Sequence, residues 1–174
     1  MSKRSLKSLT SMYSSNRMVH DYVVQAYKPA AQRRKFLSAD NWALCRELAN
    51  WEQNLPARFG TIKMDEITLT GADGNTMICG EPLNVRLHLH LGQMQQNEVL
   101  VQLVIGRIQA NGNFKEVPDH LRLEPRRKTA DSDGIIYSAT YIPKKNGPYK
   151  FGIRVMPVHK GLSNPMETGI VLWG

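Results

Sequence analysis

The chain has 174 residues, 41% of them apolar and 22% charged, which suits one well-buried core of a globular protein. No apolar run approaches the roughly 18 residues of a membrane span, and the basic start Met1–Lys7 is followed by no apolar stretch, so neither a membrane helix nor a signal peptide is read. The net charge of +8 is uneven: residues 1–60 carry ten Lys/Arg against four Asp/Glu, while residues 61–174 carry thirteen against eleven. The basic third lacks the interleaved aromatics or recognisable motif of a nucleic-acid face, so it reads as a solvated or domain-contacting helical surface and nucleic acid is not an expected partner. Cys45 and Cys79 have no metal-ligand spacing and read as reduced thiols of a cytoplasmic protein.

The first region, residues 1–60, has helical texture. A short segment runs through Leu9. Next, Ser14, Ser15 or Asn16 can cap a helix over about Arg17–Tyr27, in which Met18, Val19, Tyr22, Val23, Ala26 and Tyr27 recur at helical spacing. Pro29 is read as its stop. A longer helix follows from about Ala30 to Leu55, with Phe36, Leu37, Trp42, Leu44, Leu48, Trp51 and Leu55 as an apolar stripe. Ser38 and Asp40 offer caps for a fresh start near Asn41, and Pro56 with Arg58-Phe59-Gly60 marks the exit.

From Thr61 the period changes to alternation. Leu83, Val85, Leu87, Leu89 and Leu91 alternate with Asn84, Arg86, His88 and His90, so both faces of one strand can be named. Val99–Ile105 alternates less cleanly, as a more central strand does. Further strands are expected at Ile67–Thr70, Leu121–Glu124, Ile135–Ile142, Tyr149–Met156 and Gly169–Trp173. Turn chemistry at Asp73-Gly74, Asn111-Gly112, Asp133-Gly134 and Asn146-Gly147 separates them. Some seven short strands without an intervening helix predict an α+β chain: N-terminal helices packed on an antiparallel, immunoglobulin-like β-sandwich over residues 61–174. The likeness is architectural, because the Cys…Trp…Cys spacing of immunoglobulin domains is absent.

Residues capable of chemistry are few. His88 and His90 share a strand face about 7 Å apart, a chelating spacing if a third ligand joins them. Without one they are two solvent-facing histidines, and no metal site is assigned. His159 has no evident nucleophile or acid beside it in sequence; Glu167 would reach it only if residues 160–166 fold back, so the expected role is loop packing or a backbone hydrogen bond. Gly71-Ala72-Asp73-Gly74 is a turn rather than a phosphate cradle, because no helix follows it. Arg126-Arg127-Lys128 reads as a solvated loop. Tyr137, Tyr141, Tyr149 and Trp173 are the aromatics able to stack on a sugar ring. Tyr137 and Tyr141 share a face with Ala139 and are the candidate glucan contacts, a placement equally suited to core. No catalytic or cofactor-binding residue is assigned.

Two segments carry a family resemblance. Asn16-Arg17-Met18-Val19, with Tyr22, Tyr27 and Pro29 and preceded by Lys7-Ser8-Leu9-Thr10, resembles the closing helix of the catalytic region in bacterial α-glucan (glycogen/starch) phosphorylases. Gly147–His159, with Leu162, Pro165-Met166-Glu167 and Gly169–Trp173, resembles the last strands of the same family. The order is right, and the two segments lie some 120 residues apart. Residues 60–130 match it mainly in pattern.

The resemblance implies a parent reaction in which orthophosphate attacks the terminal α-1,4-glucosidic bond and releases glucose 1-phosphate. It also implies two Rossmann-like lobes holding pyridoxal phosphate on a lysine. Nothing in this sequence matches the lysine motif or the glycine-rich glucan and phosphate loops, so no catalytic or cofactor role transfers. What transfers is scaffold: Arg17, Tyr22, Tyr27 and Pro29 on the helix, and Arg154, Pro157, His159, Glu167 and Trp173 at the end of the sandwich. The expected role is a C-terminal accessory part, not catalytic alone, with the catalytic lobes or α-glucan as partners. An exposed N-terminal helix would favour a homo-oligomer. The alternative is a free-standing polysaccharide-binding module.

Overall fold

The computed structural model describes residues 13–71, 76–128 and 134–174, in two compact units that meet between Ala49 and Asn50. The predicted segment through Leu9 and the turn at Asp73-Gly74 lie outside the described residues, as does Asp133.

In the first unit, Ser14 caps helix α1 (Ser15–Tyr22), its hydroxyl accepting from the Arg17 N–H at 3.3 Å. Arg17 and Asp21 form an i,i+4 pair at 3.6 Å. The chain continues without a stop through a π-helical turn, Val23–Tyr27, into α2 (Lys28–Phe59). Pro29 therefore does not end the helix. The turn before it is π-helical, with Lys28 N–H bonded five residues back to Val23, a widened winding that accommodates the proline ring in a continuing helix. The fresh start expected near Asn41 is visible as a break. Ala39 is extended, and Asp40, Asn41 and Trp42 all have positive φ. Asp and Asn tolerate that region; Trp42 adopts it under strain. No residue of α1 is buried, and Met18, Val19, Tyr22 and Tyr27 are all at least half-exposed.

The second unit opens with the last ten residues of α2, where Trp51, Leu55 and Phe59 recur every fourth position and are buried. The apolar stripe predicted along the whole helix is thus buried only here; Phe36 and Trp42 are exposed. Pro56 does not end this helix either. Burial of Leu55 and Phe59, worth about 1.5–3 kcal/mol each, offsets the roughly 3 kcal/mol cost of an interior proline.

Two antiparallel sheets follow. One runs β1 (Lys63–Thr70), β3 (Leu83–His90), β7 (Ile135–Tyr141), β6 (Glu124–Lys128). The other runs β2 (Thr76–Met77), β8 (Gly147–Pro157), β4 (Val99–Arg107), β5 (Asp119–Arg122), with the short β9 (Leu172–Trp173) also on β8. The alternation of β3 is realised: Leu83, Val85, Leu87 and Leu89 are buried, and Asn84, Arg86, His88 and His90 take the other face. Val99, Val101, Leu103 and Ile105 of β4 pair with Pro157, Val155, Ile153 and Phe151 of β8, and all four β4 residues are buried.

Three expectations are corrected. Leu121–Glu124 is not one strand: buried Leu123 separates β5 and β6, which belong to different sheets, and its N–H donates to Val101 O at 2.9 Å. Arg126-Arg127-Lys128 is not a loop but part of edge strand β6. The closing strand is only Leu172–Trp173, preceded by a 3-10 turn, Pro165–Thr168. That turn forms because the Asn164 side chain caps it, accepting from Met166 N–H at 2.9 Å.

The exit of α2 depends on a close approach. Thr61 Oγ donates to Arg58 O at 2.6 Å and accepts from Gln93 N–H at 2.8 Å. Gly92, at φ +56°, sits so close that a Cβ there would lie 2.2 Å from Thr61 Oγ1. Gly112 also has positive φ, +79°, but open space around it. Gly112→Ala is expected to cost about 1 kcal/mol from backbone conformation alone. Gly92→Ala should cost about 3 kcal/mol in denaturant unfolding, because the same strain adds to displacement of Thr61.

Candidate functional site

Glu98, on the 3-10 turn Gln96–Glu98 that leads into β4, gathers a dense set of hydrogen bonds. Its carboxylate accepts from Trp51 Nε1 (2.9 Å), Arg58 Nη1 (3.0 Å), Arg58 Nη2 (2.5 Å) and Gln95 N–H (2.9 Å). Gln95 and Glu98 form a reciprocal capping box. Partial burial opposes ionisation of Glu98, but the Arg58 hydrogen bonds, the Gln95 N–H and the Trp51 indole together outweigh it and hold the carboxyl below its ordinary value of 4.5. Arg58 also donates to Gln93 O at 3.1 Å, and Trp51 packs on the His159 ring, centroids 5.0 Å apart. His159 therefore has the packing role expected for it, and its Nδ1 accepts from Gly161 N–H at 3.0 Å. Glu167 Oε2 accepts from Ser163 N–H at 3.2 Å.

The second cluster lies on the outer face of β3. His88 and His90 are joined by Asp65 of β1, whose Oδ2 is 3.0 Å from His88 Nδ1 and 2.5 Å from His90 Nε2. The two rings meet edge to face at 4.9 Å. Sequence reasoning named the histidines but missed Asp65. It is brought there by a β-bulge, in which register jumps from Met64↔Leu89 to Ile67↔Leu87. The only sequence signal was an acid on a neighbouring strand.

The aromatic candidates separate. Tyr137 is 2% exposed, and its ring offers no open platform; burial pushes its hydroxyl up to about 12. Tyr141 is half-buried. Its hydroxyl donates to Asp119 at 2.8 Å, its ring meets Tyr149 at 6.3 Å, and burial followed by Asp119 pushes its pKa well up. Trp173 is 54% exposed. The Arg154 guanidinium lies 6.0 Å from its ring and binds Gln102 Oε1 through Nε (3.0 Å) and Nη2 (2.8 Å).

These elements define an α+β module built on antiparallel sheets, with no helix among the described residues long and apolar enough to cross a membrane. Residues 60–174 match the glycogen phosphorylase C-terminal domain, and the chain belongs to that family. It is 29% identical over 171 residues to the glycogen phosphorylases of Mycobacterium tuberculosis H37Rv and Mycobacterium bovis, covering 98% of this chain. It is 23% identical over 175 residues to the maltodextrin phosphorylase of Thermococcus litoralis, covering 99%. The chain spans only 20% of the length of each of these relatives. No solved structure matches it significantly. The homology supports an accessory role within the phosphorylase family.

The Glu98 clamp has a pH signature. A carboxyl depressed by folding adds stability above its unfolded value, and that stability is lost as pH falls through the folded value. Wild-type stability should therefore decline as pH drops below about 4.5. Glu98→Gln should remove that component of the decline and cost about 1.5–3 kcal/mol at neutral pH, read by urea unfolding from pH 3 to 7.

Proposed function

We propose that the chain serves as the C-terminal, non-catalytic part of an α-glucan phosphorylase, whose parent reaction is phosphorolysis of α-1,4-glucan to glucose 1-phosphate. The family match over residues 60–174 carries this reading. In it, the two sheets stack by their buried faces as an immunoglobulin-like sandwich, and residues 1–60 connect that sandwich to the catalytic lobes in the cytoplasm. The half-exposed Met18, Val19, Tyr22 and Tyr27 of the first unit supply an apolar surface for those lobes.

The residues present do not fit pyridoxal phosphate. A lysine that holds the cofactor as a Schiff base is enclosed, whereas every lysine whose side chain is described here is exposed. No step is therefore assigned to this chain. Incubated with glycogen, inorganic phosphate and pyridoxal phosphate, the chain alone should release no glucose 1-phosphate. It should form a 1:1 complex with a mycobacterial glycogen phosphorylase shortened by the matching C-terminal fifth, and Val19→Asp should abolish that complex. Release of glucose 1-phosphate by the chain alone, or no complex, would refute the reading; self-association of the wild-type chain would point to a homo-oligomer instead.

One observation favours a second reading, a polysaccharide-binding module: the open Trp173 ring beside Arg154 and Gln102 suits stacking on a sugar with flanking hydrogen bonds. It predicts retention on a glycogen affinity gel, lost in Trp173→Ala and weakened in Tyr141→Ala. Equal retention of all three chains would remove it.

A further inference from the structure

We propose that Asp65, His88 and His90 form a binding site for one divalent transition-metal ion of the zinc class. One carboxylate oxygen and two ring nitrogens converge, all within 4.8 Å of one another. Tetrahedral zinc held at about 2.0–2.1 Å by such ligands keeps them about 3.3 Å apart, so the Asp65 oxygen, now 3.0 and 2.5 Å from the two ring nitrogens, has to draw back and the rings have to adjust with it to admit the ion. Each imidazole, while neutral, needs only to carry its proton on the nitrogen turned away, Nε2 of His88 and Nδ1 of His90. Two imidazoles and one carboxylate are a borderline donor set. They suit Zn²⁺, Co²⁺ or Ni²⁺, not the all-oxygen shells of Ca²⁺ or Mg²⁺.

Local structure prepares this arrangement. Strand alternation holds both histidines on one face because Leu87 and Leu89 are committed to the core on the other. The bulge in β1 leaves Asp65 and Glu66 without partners in the β3 ladder and turns Asp65 across the two rings. A third element seats His88: a Cβ on Gly134 would fall 2.1 Å from its Nε2, so only glycine leaves room for the ring in the orientation that points Nδ1 at Asp65. The side chains of Asp65, His88 and His90 are 43%, 26% and 30% exposed, and β1 is an edge strand, so an ion can enter and keep water in its fourth position. Bound there, the ion would join the edge strand to β3 across its bulge. The site is independent of any assignment of glucan or catalytic partners.

Isothermal titration of the tag-free, chelator-treated chain with ZnCl₂ tests the proposal, with Co²⁺ absorption reporting the ligand set. The expected result is one ion per chain, no saturable response to CaCl₂, and a melting temperature that rises with Zn²⁺. His88→Ala and His90→Ala should each weaken binding by at least about tenfold, and Asp65→Asn should weaken it as well. His120→Ala should leave it unchanged. If either alanine variant fails to fold, His90→Gln, which keeps size and polarity on this outer face, carries the same expectation. Absence of saturable Zn²⁺ binding, affinity unaltered in His90→Gln, or a site abolished instead by Cys79→Ser would overturn the proposal.

Discussion

Glu98 is the point on which the second unit is assembled. Its carboxylate takes the Trp51 indole and the Arg58 fork from the helix, and the N–H of Gln95 from its own turn. Its backbone carbonyl accepts from Val158 N–H just past β8. One residue thus joins the helix, the entry to β4 and the exit of β8. A partly buried ion pair is often close to neutral in net stability, because desolvation of both charges opposes their attraction. Here four donors satisfy one carboxylate, which makes the pair specific: the same helix rotated by a quarter turn would leave Glu98 partly buried with only the Gln95 N–H of its own turn. Burial of Leu55 and Phe59 supplies the driving force, and the clamp selects the orientation.

Three of the residues that carried the family resemblance have defined packing or hydrogen-bond contacts. Arg154 is buried against Gln102 and lies under Trp173. His159 packs on Trp51, and Glu167 accepts a backbone N–H from Ser163. These contacts lie at a strand end or in the loop that follows it. A signature of this kind identifies a fold lineage through packing constraints.

What could be read from sequence was whatever a local pattern decides. The alternation in Leu83–Leu91 fixed both faces of β3, and with them the shared face of His88 and His90, because a strand has a strict period of two. Tyr137 and Tyr141 were correctly placed on one face, but parity alone does not say which face turns inward. Asp65 was beyond reach, since its position depends on a register jump between two strands. The prolines misled for a related reason: Pro29 and Pro56 are local breakers, and a preceding π turn in one case and flanking core residues in the other outweighed them. Leu121–Glu124 looked like one strand because Leu121 and Leu123 alternate, while the switch between sheets is decided by where Leu123 is buried.

That switch has a consequence for folding. A single residue, Leu123, separates β5 from β6, so the chain leaves one sheet and enters the other with almost no slack. A slip of either strand by one position would pull Leu123 out of the core and carry the error across to the opposite sheet. The two sheets therefore cannot acquire register one after the other as separate modules. Their ladders are coupled mechanically, and long-range pairing of β4 with β8, some fifty residues apart, has to form in concert with that of β3 with β7. High contact order of this kind makes folding slow, and until both ladders close the unpaired strand edges stay open to other chains.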